Sequence, residues 1–290
     1  MPGTIDEGFR DFHTKLTPSS FESEAAKAHR ASIKRRIETD FGLRRFWRTG
    51  SFGNGTSISG HSDVDYMASI PRESLSSNST TSLTKLRNSL AARFPNTGVR
   101  TSCPAVVVPF GNSAKETTEV TPADYLRTEN GFKIYDIPDC AGGWMNASPD
   151  AHNAYVRQIN SKLSGKVKPL IRFIKAWKYY QSVPISSFYL ELRVAKYAFS
   201  EQTILYSIDV QAVFALLDRL ELARITDPMG ISGYISPCKS TADLETARSK
   251  LSTALARATK AREAEAAENI KDAFEWWNKL YAYKFPSYYR

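Results

Sequence analysis

Two aspartates, Asp63 and Asp65, stand two residues apart in a segment of alternating polarity that ends at Ile70, just before a proline. The alternation predicts a β-strand, in which residues two apart point to the same face. Two carboxylates on one face repel each other unless a cation lies between them, and such oxygen ligands suit Mg2+. The pattern therefore predicts a strand that presents a metal-binding pair. The alternative is a solvated pair on an edge strand.

A glycine-rich stretch precedes the aspartates along the chain. Gly50 and Ser51 stand at its start, and it holds four glycines up to Gly60, together with Ser, Thr and Asn residues. We interpret it as a loop or a turn into a short helix. Such a stretch exposes backbone N–H groups to phosphate, and the Ser51 hydroxyl adds a donor. A Gly-Ser pair followed by paired aspartates on a strand predicts metal-assisted nucleotidyl transfer.

A third carboxylate is expected on a neighbouring strand, because two-metal sites commonly share one. Residues 105–110 and 115–121 are predicted to form the two strands of a hairpin, with its turn at 111–114. The candidates in or after this hairpin are Glu116, Glu119, Asp124, Asp136 and Asp139. We choose Glu119 because it lies well inside the second predicted strand, whereas Glu116 sits near the turn and, at odd spacing from Glu119, faces the other side. Its alternative role is that of a surface ion-pair partner.

The character of the sequence changes near residue 150, from mixed strands and helices to helices alone. The earlier part predicts two helices within residues 5–40, strands at 43–48, 63–70 and 132–137, and a helix at 83–94. The later part predicts helices at 150–163, 167–180, 187–198, 210–222, 241–258 and 262–281. We therefore expect an α/β fold of two parts. Residues 1–150 would form a polymerase-β-like nucleotidyltransferase core with a mixed, twisted sheet, and residues 151–290 a helical lobe that completes the nucleotide-binding cleft.

Charge and cysteine content restrict the setting of this chain. The net charge is +9, from 39 Lys and Arg residues against 30 Asp and Glu residues, which favours polyanions such as nucleoside triphosphates or nucleic acid. No apolar run reaches the length of a membrane span, and the acidic, polar start does not resemble a signal peptide. Three cysteines lie far apart, at Cys103, Cys140 and Cys238, and suggest neither a zinc ribbon nor a disulfide framework. We expect a cytoplasmic monomer without membrane attachment.

Five runs of the sequence carry a resemblance to a known family: GSFGNGTSI at 50–58, SDVDY at 62–66, EVTPA at 119–123, IRFIKAW at 171–177 and SSFYLE at 186–191. With these runs the chain resembles the bacterial cGAS/DncV-like nucleotidyltransferases, which make cyclic oligonucleotide signals in anti-phage defence. Together these runs cover roughly residues 45–200. The last 90 residues fit only as generic helices.

The resemblance implies roles for individual side chains. Asp63, Asp65 and Glu119 would be the catalytic metal ligands, although the family more often has Asp at the third position. Gly50 and Ser51 would contact the triphosphate. The helical lobe would contribute further nucleotide-binding residues: Lys175 and Ser187 on the phosphates, and Phe188 stacking on the donor base where the family often has Tyr. From the residues alone, Lys175 could equally be a solvated charge and Ser186 or Ser187 a helix N-cap.

The resemblance also implies an activity and its partners. Nucleoside triphosphates, ATP and GTP among them, would be condensed into a cyclic di- or trinucleotide with release of pyrophosphate. Two Mg2+ ions, or Mn2+ in their place, would serve as cofactors. A CBASS accessory or activator protein is the expected protein partner, and direct activation by DNA is not expected because a zinc-binding His/Cys cluster is missing from the sequence. The alternatives are a nucleotidyltransferase with a linear product and an inactive nucleic-acid-binding module.

Overall fold

The computed structural model describes residues 2–18, 24–61, 63–111 and 116–289. The chain divides into two compact units. The sheet unit comprises Ser19–Gly55 and Ser62–Ala154, and the helical unit comprises Met1–Pro18, Thr56–His61 and Tyr155–Arg290. The turn that we predicted at 111–114 lies largely outside the described residues.

The sheet unit is a mixed sheet with helices. Its helices are α2 (Glu24–Phe41), the short α3 (Gly50–Asn54), a 3-10 helix (Arg72–Ser74) and α4 (Ser79–Arg93). Its strands are β1 (Arg45–Arg48), β2 (Val64–Ser69), β3 (Arg100–Ser102), β4 (Ala105–Phe110), β5 (Glu116–Glu129), β6 (Phe132–Pro138) and β7 (Trp144–Ala147). Helix α5 (Pro149–Lys162) begins in this part of the sequence.

The strands of this sheet follow the order β1-β2-β5-β4-β3, and β6 pairs with both β5 and β7. Strands β2 and β5 are parallel, whereas the β1–β2, β3–β4, β4–β5, β5–β6 and β6–β7 pairs are antiparallel. One face is covered by α2 and α4, since Ile37 and Leu86 share a buried cluster with Ala68, Val108 and Val120. The period of two along each strand leaves Asp65 and Glu119 on the opposite face.

Strand β5 is longer than the sequence predicted. The pattern ended the strand before Pro122, but the structure continues it to Glu129. Proline is tolerated here because β4 pairs with β5 only as far as Val120 and β6 begins only at Asp124. Pro122 therefore lies between the part of β5 that pairs with β4 and the part that pairs with β6. Its missing N–H group removes no hydrogen bond to either of these two strands.

The helical unit contains α1 (Ile5–Leu16), the end of α5, α6 (Val167–Tyr180), α7 (Ser187–Phe199), α8 (Tyr206–Arg219), α9 (Thr241–Ala266) and α10 (Ile270–Leu280). A two-stranded sheet, β8 (Ile225–Thr226) with β9 (Tyr234–Ile235), completes it. Helix α1 packs here because Phe9 and Phe12 are fully buried, with ring centroids 5.0 and 5.8 Å from that of Phe173. From the sequence, the first helix is expected within the core of residues 1–150, whereas it packs with the helical unit. No described helix is both long and apolar enough to cross a membrane.

The prediction that the cysteines form no disulfide is wrong for two of them. Cys103 and Cys140 form a disulfide, with Cα atoms 5.6 Å apart, although 37 residues separate them along the chain. Spacing along the chain gave no signal for this pair, because the antiparallel strands β4, β5 and β6 bring the turn before β4 close to the loop after β6. Cys238 is a free cysteine.

Candidate active site

Gly50 begins α3 directly against the Asp65 carboxylate. The Thr49 N–H group donates to the Asp65 carbonyl oxygen at 2.8 Å, which fixes the start of the helix beside β2. Gly50 has a φ of +56°, and a Cβ atom at this position would overlap the Asp65 carboxylate. Only glycine meets both conditions without strain. The Gly-Ser pair and the second aspartate predicted from the sequence are therefore brought together.

The acidic residues Asp65 and Glu119 lie opposite each other on the neighbouring parallel strands β2 and β5. Residues in parallel register point to the same face, and both side chains are half-buried. Asp63 is exposed and lies just before β2, two residues from Asp65. The strand register thus brings Asp65 and Glu119 to one face, and Asp63 lies just before β2.

The side chains themselves do not form a preorganised metal cage. Within the described ranges, no three Asp, Glu, His or Cys side chains form a group that could hold a metal ion. The backbone register nevertheless suits a hard divalent cation, because it aligns carboxylate oxygens on one face. A cation would have to draw these side chains together, since like charges repel each other without one.

The other acidic candidates are engaged elsewhere. Glu116 pairs with His29 at 2.9 Å, and Asp139 accepts from the N–H groups of Ala141 and Gly143 at 2.8 Å. Asp124 is buried in β5, and burial raises the pKa of its carboxyl group, an effect partly offset by Arg72 and Arg44. Asp136 accepts from the Asn146 side-chain amide at 2.9 Å. None of these four residues is the register partner of Asp65, as Glu119 is.

In the helical unit, Ser187 lies beside Lys178, a residue that was not predicted from the sequence to bind nucleotide. Lys178 Nζ donates to Ser187 Oγ at 2.6 Å, and the Tyr179 hydroxyl lies 3.3 Å from the same oxygen. The Lys178 ammonium also lies 4.8 Å from the centre of the Tyr179 ring, which stacks on His61. Lys178, Tyr179 and Ser187 are all half-buried, so this cluster is reachable from solvent.

Ser186, and not Ser187, caps helix α7. Its Oγ accepts from the Tyr189 N–H group at 3.3 Å, as expected of an N-cap residue. The Ser187 hydroxyl is consequently used by Lys178 and Tyr179 and not by the helix end. Phe188 follows with 38% of its surface exposed, so its ring can be reached from solvent.

Lys175 is placed differently from the sequence expectation. It is fully buried, and its Nζ lies 2.7 Å from Glu191 Oε1 on α7. The same carboxylate oxygen accepts a hydrogen bond from the Thr56 hydroxyl at 2.5 Å. The sequence could not separate Lys175 from Lys178 of α6, since they are three residues apart and lie on adjacent positions of the helix surface.

A mixed sheet with Gly-Ser against an aspartate of one strand and a glutamate in register on the next, together with a separate set of helices, is the fold expected of a polymerase-β-like core with a helical lobe. The family follows from the sequence comparison. The model of the Second Messenger Oligonucleotide or Dinucleotide Synthetase domain (SMODS) matches residues 4–160, which is more than half of the chain. The chain belongs to this family.

Individual relatives agree with this assignment. A Bacillus cereus (strain VD146) protein known as a probable cyclic nucleotide synthase is 28% identical over 174 residues, which cover 59% of this chain and 52% of that protein. The match thus spans about half the length of this curated relative. The structure of E. coli MS115-1 CdnC with ATP superposes with a TM-score of 0.74 at 18% identity, and the alignment covers 97% of this chain and 99% of that one. CdnC has also been solved in a complex with HORMA-deltaN.

A third relative comes from another genus. A point mutant of the Vibrio cholerae di-nucleotide cyclase DncV, in complex with ATP, GTP and 5MTHFGLU2, has a TM-score of 0.63 at 14% identity. The alignment covers 97% of this chain and 86% of that one. At these identities, the likeness to CdnC and DncV establishes the fold.

Proposed function

We propose that this protein condenses nucleoside triphosphates into a cyclic di- or trinucleotide second messenger, with release of pyrophosphate, in anti-phage signalling. The observation that carries the proposal is the packing of Gly50 against Asp65, with Glu119 in register on the neighbouring strand. Membership of a family of second-messenger synthetases supports the cyclic product.

Asp63, Asp65 and Glu119 are the residues that would hold Mg2+ or Mn2+ in the sheet unit. Bound divalent cations would neutralise the charge of the triphosphate and of the pyrophosphate leaving group, and two such ions are proposed. The Glu119 carboxylate accepts the proton of the acceptor ribose hydroxyl. That hydroxyl attacks the α-phosphorus in line and pyrophosphate leaves. The same reaction repeated on the linear intermediate closes the ring.

Gly50 and Ser51 in the sheet unit and Lys175 with Ser187 in the helical unit are the proposed phosphate-binding residues. Lys178 is a second candidate in the helical unit, because it is half-buried beside the Ser187 hydroxyl, whereas Lys175 is fully buried against Glu191. Phe188 is the proposed stacking partner of the donor base, since its ring is exposed one residue after Ser187. An accessory protein of the HORMA kind is a proposed partner, because CdnC has been solved with one.

Incubation with labelled nucleoside triphosphates and Mg2+ tests the proposal. We expect a phosphatase-resistant product, which mass spectrometry identifies as cyclic. The Asp63→Asn/Asp65→Asn double variant should make none, whereas Cys238→Ser, a change remote from these carboxylates in sequence, serves as the matched control and should remain active.

Three other outcomes would contradict the proposal. Product that phosphatase degrades completely would indicate a linear nucleotidyltransferase instead. Unchanged product from the double aspartate variant would exclude the carboxylate site. No consumption of any triphosphate, together with no shift in melting temperature on adding Mg2+ and triphosphate, would indicate an inactive binding module.

A further inference from the structure

The helical unit contains a cavity of about 410 Å3 that is lined by none of the proposed nucleotide-binding residues. One wall is the turn after α8, residues 221–224, and the other is residues 236–241, which lead from β9 into α9. Arg248 of α9 also lines the cavity. The volume falls within the range of roughly 300–1,000 Å3 that is usual for small-molecule sites. The cavity is therefore large enough to take a ligand.

The hydrogen-bond acceptors on the first wall are already used by the protein. The Glu221 carbonyl oxygen accepts from Arg248 Nε at 3.0 Å, and the Glu221 carboxylate lies 3.3 Å from the same guanidinium. The Ala223 carbonyl oxygen accepts from the Tyr189 hydroxyl at 2.8 Å. This wall therefore offers a ligand few free acceptors.

The cavity instead presents cations and an aromatic ring. Lys239 and Arg224 are exposed, and neither forms an ion pair with any residue that the structure describes. The Arg224 guanidinium lies 3.9 Å from the centre of the Tyr234 ring, which is 61% exposed. Burial first, and then Asp243, raise the pKa of the Cys238 thiol, so this lining residue adds no negative charge at neutral pH. These groups match a nucleotide, because phosphates bind Lys and Arg and a base stacks on Tyr or Arg.

Both walls of the cavity are hydrogen-bonded to α7. The Pro237 carbonyl oxygen accepts from the N–H group of Ser186, which directly precedes Ser187 and Phe188, at 2.7 Å. The other wall is held by Tyr189, one residue further along the helix. A ligand that moves either wall therefore acts on the helix turn that carries the proposed donor contacts.

We propose that this cavity is a second, regulatory nucleotide site: Lys239 and Arg224 bind phosphate groups, and the Arg224–Tyr234 pair stacks on the base. The occupant is a nucleoside phosphate. Both the triphosphate substrate and the cyclic product have this chemistry, and their affinities for the cavity tell them apart. The regulation of turnover rests on the proposed function, whereas the binding of a nucleotide does not.

Alkylation of Cys238 by iodoacetamide, followed by mass spectrometry, measures the occupancy of the cavity, because the other two cysteines are joined in a disulfide. The reaction contains EDTA, which removes the divalent cations proposed for the active site. The probes are a mixture of the four nucleoside triphosphates, and a mixture of cyclic di-AMP and cyclic di-GMP. We expect the natural class of occupant, substrate or product, to slow alkylation at the lower concentration. Unchanged alkylation with both mixtures would overturn the proposal.

Variants locate the site of protection. Lys239→Gln and Arg224→Gln should each raise the half-protecting concentration roughly tenfold to a hundredfold, because each removes a charge-assisted hydrogen bond to phosphate. Each rate is compared with that of the same variant without nucleotide, since Lys239 is next to Cys238. Lys271→Gln has the same loss of charge on α10, outside the cavity, and is the matched control that should behave as the wild type.

Two results would contradict this assignment. Phe188→Ala removes the proposed base contact of the active site and should leave the protection unchanged. If protection is lost in Phe188→Ala but kept in Lys239→Gln, the nucleotide acts from the active site and the proposal is wrong. Tripolyphosphate that protects as well as the nucleotides would exclude recognition of the base.

Amide hydrogen exchange tests the link to α7. Residues 186–190 should exchange more slowly when the wild type is saturated with the protecting nucleotide in EDTA, and Lys239→Gln should show no change at the same concentration. Unchanged exchange in the wild type would refute the link.

Turnover gives the second measurement. Lys239→Gln should keep the wild-type rate at low nucleotide concentration and lose the change in kcat that the protecting nucleotide causes in the wild type. An identical response of both proteins would refute the regulation. If the wild type makes no product, the proposed function fails, but alkylation and exchange still decide whether the cavity binds a nucleotide.

Discussion

The Cys103–Cys140 disulfide is expected to stabilise the sheet unit, and its contribution can be worked from the chain it encloses. The two cysteines are separated by 37 residues. Closing a loop of this length removes about 13 cal/mol/K of entropy from the unfolded chain, or about 4 kcal/mol at 25 °C. This value follows from the chain-entropy account, in which a disulfide stabilises the fold by lowering the entropy of the unfolded chain.

The native arrangement around the disulfide is held by other contacts, so reduction should disturb the folded state little. The Ser79 N–H group, at the start of α4, donates to the Gly142 carbonyl oxygen at 2.9 Å. The indole N–H group of Trp144 donates to the Ser77 carbonyl oxygen at 2.9 Å. These bonds keep the loop after β6 beside α4 whether or not the sulfur atoms are joined. Most of the estimate of about 4 kcal/mol should therefore appear as a lower free energy of unfolding.

Guanidinium denaturation followed by circular dichroism, with and without a dithiol reductant, measures this effect. The oxidised protein should unfold at higher denaturant than the reduced protein, and Cys103→Ser should match the reduced protein in either condition. Cys238→Ser is the matched control and should retain the full response to reductant. A difference below about 1 kcal/mol between oxidised and reduced protein would refute the loop-closure reasoning.

Single residues give three further predictions. Gly50→Ala should lower the free energy of unfolding by at least about 2 kcal/mol and abolish turnover, because a Cβ atom strains a left-handed backbone and would here also overlap the Asp65 carboxylate. Gly60→Ala is the control for backbone strain alone, since Gly60 has a φ of +76° and nothing lies near its Cβ position. His13 is half-buried, and burial first, then Arg172, lowers its pKa from 6.5. Since the unfolded state then binds more protons, stability should be full above pH about 6.5 and fall as the pH drops below it, and urea unfolding of His13→Gln should show a flatter pH profile. Ser186→Ala should cost about 1 kcal/mol of stability by removing the α7 cap while leaving KM unchanged, whereas Ser187→Ala should raise KM for the triphosphate, which steady-state kinetics can check.

Much of the fold could be predicted from local pattern. The strand predicted at residues 105–110 coincides with β4, and the helix predicted at 167–180 with α6. The first segment is a short apolar run rich in valine, and the second is long enough to show a helical pattern. A carboxylate on the strand next to that of Asp65 was also predicted, but the parallel register of Asp65 with Glu119 was not, because a period of two fixes only the face that each side chain takes.

Contacts between residues that are distant in sequence could not be predicted. Whether Lys175 or Lys178 faces the interior of the helical unit is decided by Glu191 on the next helix, which no local pattern reveals. The break between α9 and α10 falls at residues 267–269, later than predicted, because no proline or glycine marks it and the turn is made by Glu268 at φ +57°. The association of α1 with later helices likewise depends on aromatic contacts across the chain.

The segment Thr56–His61, which joins the Gly-Ser pair to the aspartates, also has a consequence for synthesis on the ribosome. The Thr56 hydroxyl donates to a carboxylate 135 residues later in the chain. At 5–20 residues per second, a nascent chain waits roughly 7–27 s after residue 56 is made before Glu191 exists to receive it. During that interval, the segment between the two motifs lacks this contact, although Leu16, its partner in α1, is already made. A ribosome that stalls before Glu191 therefore leaves Thr56 without its acceptor.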